Sequence, residues 1–319
     1  MKKLTVAITI GDPSGIGPEI ALKALTRRYL RRVSFLLVGD SFVLKETAKR
    51  FDHRQPINKT SAFSLIDLKN VDKETFKFGR VNAMCGKAAV EYIKKAVDLI
   101  KLEKADALVT APINKEAAAL SGFKWPGHTE YLANLTGSRR FCMMLAGGPL
   151  RVVLATRHIA LHEVPTRLNP REIYGAIDIT QDSLKRHFGI KRPRIAVCSL
   201  NPHAGEGGLF SDEESRIIAP AIKKARLNIP NIEIAGPLPS DSLFYDAYRG
   251  RFDAEIVMYH DQGLIPLKMI AKDTGVNITL GLPFVRTSPA HGTAFDIAGK
   301  NKANPSSMIE AIKMAIDLS

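Results

Sequence analysis

The chain has 319 residues, of which 45% are hydrophobic and 24% charged, with 23 Gly and 18 Pro. This composition excludes collagen-like, low-complexity and disordered classes, and the length suggests two domains or one large α/β unit. The formal net charge of +14 raises nucleic acid as a partner, but the basic residues are scattered. One cluster, Arg27-Arg28-Tyr29-Leu30-Arg31-Arg32, stands without any nucleic-acid motif, so the charge reads as a solvated basic surface that draws in anionic metabolites, with no nucleic-acid partner.

The first predicted strand is 4–10 (LTVAITI). Lys2 and Lys3 ahead of it imitate a signal peptide, yet the run stops at Gly11-Asp12-Pro13 without a small-residue cleavage site. No apolar run approaches the ~20 residues of a membrane helix. The expectation is a cytoplasmic protein with no membrane partner. The loop that follows, Gly11-Asp12-Pro13-Ser14-Gly15-Ile16-Gly17-Pro18-Glu19, is glycine-rich but matches neither the dinucleotide nor the P-loop fingerprint. It reads as a tight strand-to-helix turn.

Further strands are expected at 33–38, 106–110, 150–155, 194–199 and 254–259, with helices between them at 86–103, 171–187 and 212–226. Ser211-x-x-Glu214 has the form of a capping box for the last of these. Alternation of this kind predicts an α/β fold of mostly parallel sheets flanked by helices. Cys85, Cys142 and Cys198 are far apart and form no CxxC pair, which fits a reducing compartment and argues against a cysteine metal site.

Ligands of parallel sheets gather beyond the carboxyl ends of the strands. Strand 106–110 runs into Ala111-Pro112-Ile113-Asn114-Lys115, and three other exits deliver His158, His203 and His260. Three neutral imidazoles with an open fourth position form a catalytic metal pattern; unrelated loop histidines are the alternative. His162, four residues after His158, competes for the same role. His128-Thr129 opens a helix whose backbone amides suit an anion, unless Thr129 only caps it. Lys268, Asn277 and Arg286 suit contacts to phosphate or carboxylate. Asp241 suits a general base or a helix cap.

Together these segments resemble the 4-hydroxythreonine-4-phosphate dehydrogenase family of vitamin B6 biosynthesis over essentially the whole chain. The matching stretches are ITIGDPSGIGPEI, TAPINKEA, PGHTEYLA, NPHAGEGG, GPLPSDSLF, MYHDQGLIPLKM and GVNITLGLPFVRTSPAHGTAFDIAG. HGTAFDIAGKNKANP adds a broader similarity to isocitrate and isopropylmalate dehydrogenases. The resemblance implies a two-domain fold of that type, with a discontinuous first domain (1–125 plus 270–319, the NAD segment near 291–304) and a middle domain (126–269) carrying the metal histidines and dimer contacts.

It further implies a divalent metal (Zn, Mg or Co) on His158, His203 and His260, which leaves His162 aside. Substrate contacts fall on His128, Thr129, Lys268, Asn277 and Arg286. NAD or NADP would be held by His291, Asp296 and Asn304. The implied assembly is a homodimer whose interdomain site draws on both subunits. The expected chemistry is NAD-dependent oxidation of a secondary alcohol beta to a carboxylate, then decarboxylation, with Asp241 as proton acceptor and Lys268 as proton donor. The expected substrate is 4-phosphooxy-L-threonine. Arg157, where well-known members place a second threonine, opens D-threonate or D-erythronate 4-phosphate as alternatives. A metal-dependent phosphohydrolase or aldolase is the competing enzyme class.

Overall fold

The computed structural model describes residues 3–25, 33–50 and 63–319; the basic cluster at 27–32 lies outside them. The strands in chain order are β1 (Thr5–Thr9), β2 (Ser34–Gly39), β3 (Ser64–Asp67), β4 (Ala107–Thr110), β5 (Cys142–Gly147), β6 (Leu150–Leu154), β7 (Arg194–Cys198), β8 (Glu233–Leu238), β9 (Ala254–Val257), β10 (Val276–Leu280) and β11 (Val285–Pro289). The α-helices are α1 (Gly17–Leu25), α2 (Ser41–Ala48), α3 (Ala83–Lys101), α4 (Lys115–Leu120), α5 (His128–Thr136), α6 (Val164–Arg167), α7 (Pro170–Arg186), α8 (Ala219–Asn228), α9 (Ser240–Tyr248), α10 (His260–Ala271) and α11 (Ser306–Asp317). Among the described residues no helix is long and apolar enough to cross a membrane.

Two compact units divide the chain, 1–138 with 282–319, and 139–281. The divisions fall later in the chain than the sequence placed them. Residues 126–138 stay with the first unit because Tyr131 packs edge-on against Phe123 at 5.0 Å and Lys101 Nζ donates to the Leu135 carbonyl at 2.8 Å. Residues 270–281 stay with the second because β10 pairs with β5.

In the first unit the sheet order is β3-β2-β1-β4-β11 and every neighbour is parallel. A parallel sheet must be covered on both faces, so its strands are apolar without alternation; β4 (ALVT) is buried at all its positions. Helix α3 covers one face with Cys85, Ala88, Ala89, Tyr92, Ile93, Ala96 and Val97, spaced three and four apart. Asn82 caps it by accepting from Met84 N at 2.7 Å. A Cβ on Gly86 would lie 2.1 Å from the Ala117 carbonyl oxygen, so only glycine lets α3 and α4 approach this closely.

The second unit has the order β10-β5-β6-β9-β7-β8. Its β10–β5 and β5–β6 pairs are antiparallel and the others parallel. Gly263 seats α10 on this sheet, where a Cβ would meet Val152 Cγ1 at 2.3 Å. The capping box expected at Ser211 and Glu214 does not form. A π-helical turn, Glu214–Ile218, leads into α8 with no side-chain cap, because the Glu214 carboxylate accepts instead from Leu200 N and Asn201 N, both at 2.8 Å.

β3, β5, β8, β10 and β11 carry weak strand signals. β5 is Met-rich, β8 contains Gly236-Pro237, and β11 reads as polar (VRTSP) although it is buried throughout. Tertiary hydrogen bonds make that burial tolerable: Thr287 Oγ1 donates to the Ala311 carbonyl at 2.7 Å, and Arg286 Nη2 to Thr110 Oγ1 at 2.6 Å.

Glu255, fully buried in the middle of β9, accepts from Arg151 N at 3.0 Å through Oε2, while Oε1 has no hydrogen-bond partner. Burial pushes its pKa up from 4.5 to about 8. The folded protein therefore keeps a proton that the unfolded chain releases near pH 4.5. This contribution is complete below that pH, is lost as pH rises to about 8, and stays lost above. Glu255→Gln should gain in Tm over the native protein progressively from pH 5 to pH 8, by calorimetry. Melting temperatures that stay parallel across that range would contradict the assignment.

Candidate active site

In the first unit the chemistry gathers around Arg286 of β11, the loop that follows β4 and the start of α5. β11 sets Arg286 beside Leu108 of β4, with 1% of its surface exposed. Burial draws its pKa down to about 9, opposed by the negative charge of Glu130, so the guanidinium stays charged at neutral pH. His128 opens α5 behind Gly127, and no side chain caps that helix end. Thr129 is buried at the next position rather than capping the helix.

The His128 imidazole is held well below its ordinary pKa, first by burial and then by the Arg286 and Lys115 charges, against a hydrogen bond to the Ala111 carbonyl. Nε2 has no partner among the described residues, so Nδ1–H makes that bond. The neutral ring then presents Nε2 as an acceptor. An uncapped helix start, a buried guanidinium and a neutral imidazole suit a ligand that is anionic at one end and hydroxylated nearby.

The glycine-rich loop serves packing. At Gly11, with φ +69°, a Cβ would lie 2.3 Å from the Pro112 carbonyl oxygen, and at Gly17 one would lie 2.1 Å from that of Ile10. Asp12, fully buried, accepts from Ser14 N at 2.8 Å, and desolvation raises its pKa to about 6. Ile16 N donates to the Thr293 carbonyl at 3.0 Å, which joins this loop to the 291–304 segment. There His291 Nδ1 lies 2.9 Å from the Gly292 carbonyl, Asp296 is exposed, and Asn304 Oδ1 accepts from Ser306 N at 3.0 Å as α11 begins. Glu19 and Lys23 of α1 brace the segment, accepting from Ala303 N at 3.0 Å and donating to its carbonyl at 3.1 Å.

In the second unit His158 follows β6 and His260 starts α10, with ring centres 6.1 Å apart. Both line a cavity of about 470 Å³ with Thr156, Tyr259 and Asp261. His203 lines a second cleft, of about 660 Å³, with Asp241, Asp261 and Gln262. Asp261 Oδ1 lies 2.6 Å from His260 Nδ1, and Glu206 Oε2 lies 2.9 Å from His203 Nδ1. His158 and His203 both hold left-handed backbone, φ +50° and +51°, a conformation that costs about 1–2 kcal/mol per residue and concentrates at functional sites.

The fold thus pairs two of the three strand-exit histidines and leaves His203 in the adjoining cleft. Among the described residues no three or more His, Cys, Asp or Glu side chains group as metal ligands. Asp241 is exposed near the start of α9, Lys268 is exposed on α10, and Asn277 lies on β10 opposite Leu145. The cysteines are buried and free, with pKa values raised to about 11 or 12 by desolvation, so none is a thiolate at neutral pH.

Gln262 was not singled out by the sequence, although it stands within His260-Asp261-Gln262-Gly263. Its Oε1 accepts from Met258 N at 2.7 Å, and Nε2 donates to the Ser199 carbonyl at 2.6 Å and to Ser240 Oγ at 2.7 Å. One amide therefore ties together the segments that carry His260, His203 and Asp241.

A family model described as "Pyridoxal phosphate biosynthetic protein PdxA" matches residues 31–315. The 4-hydroxythreonine-4-phosphate dehydrogenase of Desulforapulum autotrophicum is 46% identical over 321 residues, covering 97% of this chain and 94% of that protein. The D-threonate 4-phosphate dehydrogenase of Salmonella typhimurium is 43% identical over 329 residues, covering 100% of both. The crystal structure of 4-hydroxythreonine-4-phosphate dehydrogenase from Klebsiella pneumoniae superposes with a TM-score of 0.88 at 40% identity, covering 99% of each chain. Isocitrate dehydrogenase from Methylococcus capsulatus, 14% identical with a TM-score of 0.50 over 98% of this chain and 85% of that one, shares the fold alone.

Gln262→Leu removes three hydrogen bonds and strands the Met258 N–H donor and the Ser199 carbonyl acceptor. It should cost about 1–3 kcal/mol in urea unfolding and lower kcat more than a surface substitution of equal destabilisation. A variant with native stability and turnover would show that the amide does not organise these segments.

Proposed function

The chain belongs to the PdxA family of pyridoxal phosphate biosynthetic proteins, and from that membership we propose that it oxidises and decarboxylates 4-phosphooxy-L-threonine to 3-amino-2-oxopropyl phosphate, with NAD or NADP as oxidant. The observation that carries this reading is the pairing of a buried, charged Arg286 with a neutral His128 at an uncapped helix start. In this role the first amides of α5 and Arg286 bind the phosphate, with Thr129 as a further contact. His128 Nε2 accepts a hydrogen bond from a substrate hydroxyl or ammonium.

The residues also fit a divalent cation. Imidazoles bound to one ion through nitrogen at about 2.1 Å place their ring centres about 5 Å apart, close to the 6.1 Å between His158 and His260. Carboxylates on Nδ1 of His260 and His203 leave Nε2 of each for coordination, the usual outer-shell arrangement of ligating histidines. We assign His203 of a second copy of this chain as the third ligand, which accounts for its separation from the pair within one chain. A homodimer is then the active unit.

Held by these residues, zinc or a similar cation would supply Lewis acidity and a nicotinamide would supply the two-electron oxidant. Asp241 takes the proton from the substrate hydroxyl oxygen as the carbon bearing it is oxidised. Loss of carbon dioxide from the resulting β-keto acid leaves an electron pair on the adjacent carbon, and Lys268 protonates it. His291, Asp296 and Asn304 contact the adenosine half of the dinucleotide.

A second reading, D-threonate or D-erythronate 4-phosphate as substrate, draws on Arg157. Its guanidinium lies 5.2 Å from the Phe141 ring centre, in the residue before His158, and a positive charge there favours a hydroxyl over an ammonium beside the carboxylate. NADH formation across a panel of 4-phosphorylated hydroxy and amino acids, with a divalent metal present, separates the readings. The amino acid should give the highest kcat/KM, and unphosphorylated analogues should lose orders of magnitude. Phosphate release or retro-aldol products without NADH would assign the protein to the hydrolase or aldolase class instead.

His158→Ala, His203→Ala or His260→Ala should each abolish turnover, whereas His162→Ala should retain most of it. Mixing His260→Ala with His203→Ala protein should restore part of the activity, because a mixed dimer then contains one intact ligand set. No recovery after verified subunit exchange would place His203 and His260 of one site in the same chain.

A further inference from the structure

His203 belongs to a stretch of backbone with the hand opposite to that of ordinary helices. From His203 to Gly207 every residue is left-handed, with φ of 51°, 54°, 80°, 44° and 66°. L-residues visit this region singly, and mostly as glycine, because Cβ crowds the following carbonyl oxygen. His203, Ala204 and Glu206 all carry that Cβ. Two backbone hydrogen bonds close its far end, 3.3 Å from Leu209 N to the Glu206 carbonyl and 3.2 Å from Phe210 N to that of Gly205. A run of this kind needs support from outside itself.

Glu214 supplies it. The side chain is buried, with 6% exposed. Oε1 accepts from Leu200 N and Asn201 N at 2.8 Å each, and Oε2 accepts from Asn201 Nδ2 at 3.0 Å. The same Asn201 amide nitrogen donates to Glu213 Oε2 at 2.9 Å. These bonds fix the entrance to the turn, two residues before His203. Oε2 also packs against its middle, since a Cβ on Gly205 would lie 2.7 Å from it.

We propose that Glu214 is a positioning residue for His203: by clamping residues 200–201 and seating Gly205, its carboxylate holds the left-handed turn and so fixes the direction of the imidazole toward the divalent cation. This rests on the metal role assigned to His203 above. His203 is itself one of the left-handed residues, so release of the turn swings its Cα–Cβ bond rather than merely loosening its ring. The conformation is local, and Glu214 acts on metal geometry without touching the ion.

The test is Co²⁺ and Zn²⁺ affinity of the full-length protein, by chelator competition and the Co²⁺ absorption spectrum, with kcat/KM and Tm measured alongside. Glu214→Gln should weaken metal binding about tenfold to a hundredfold, the range for outer-shell changes, and should alter the cobalt spectrum toward that of His203→Ala. Adding Ala204→Gly, which removes a Cβ from the left-handed run, should recover roughly fivefold of that loss. Gly205→Ala attacks the same contact from the other side and serves as the variant if Glu214→Gln does not fold. A lower Tm with native metal affinity and spectrum, or no recovery with Ala204→Gly, would overturn the proposal. If His203→Ala itself binds cobalt as the native protein does, the metal assignment fails instead.

Discussion

Strands paired in parallel and covered on both faces have no solvent-facing side on which to place polar chemistry. β4 and the inner strands of both units bury nearly every residue, so charged side chains are confined to strand ends, where the backbone meets loops and helix starts. The functional residues follow that constraint. His158 follows β6, His203 follows β7 and His260 follows β9. Exceptions inside the sheets are Glu255 on β9, which accommodates burial by holding its proton, and Arg286 on β11, beside Leu108 of β4, which stays charged.

Desolvation sets the chemical state of the first-unit cluster. It keeps His128 neutral while Arg286 stays charged, although both are drawn toward their uncharged forms. The difference lies in starting point: a guanidinium begins so far above neutrality that burial leaves it ionised, whereas an imidazole begins close enough to lose its proton. One environment thus yields a fixed positive charge and a neutral acceptor side by side.

The second-unit histidines are set by the backbone segments that carry them as well as by the carboxylates of Asp261 and Glu206. Two of them sit in left-handed conformations, and their surroundings consist of hydrogen bonds between segments distant in sequence. Gln262 reaches Ser199 and Ser240, and Glu214 reaches Leu200 and Asn201. Strained positions persist where neighbouring structure over-determines them. These two side chains provide that over-determination for the segments carrying His203, Asp241 and His260.

The amino-acid sequence alone determined the alternation of apolar runs and amphipathic helices, and hence the α/β class, because periodicity is a local property. The strong strands 4–10, 106–110 and 254–259 were legible for that reason, as was the placement of three histidines at strand exits. The polar strand β11 was not, since its burial depends on partners such as Ala311 and Thr110 that are remote in the chain. Nor was the use of Glu214, whose Ser-x-x-Glu spacing fits a local cap while its carboxylate binds a loop on another element. Tertiary structure alone decided that His158 and His260 pair while His203 stands apart, because sequence order assigns residues to strand ends but not the distances between those ends.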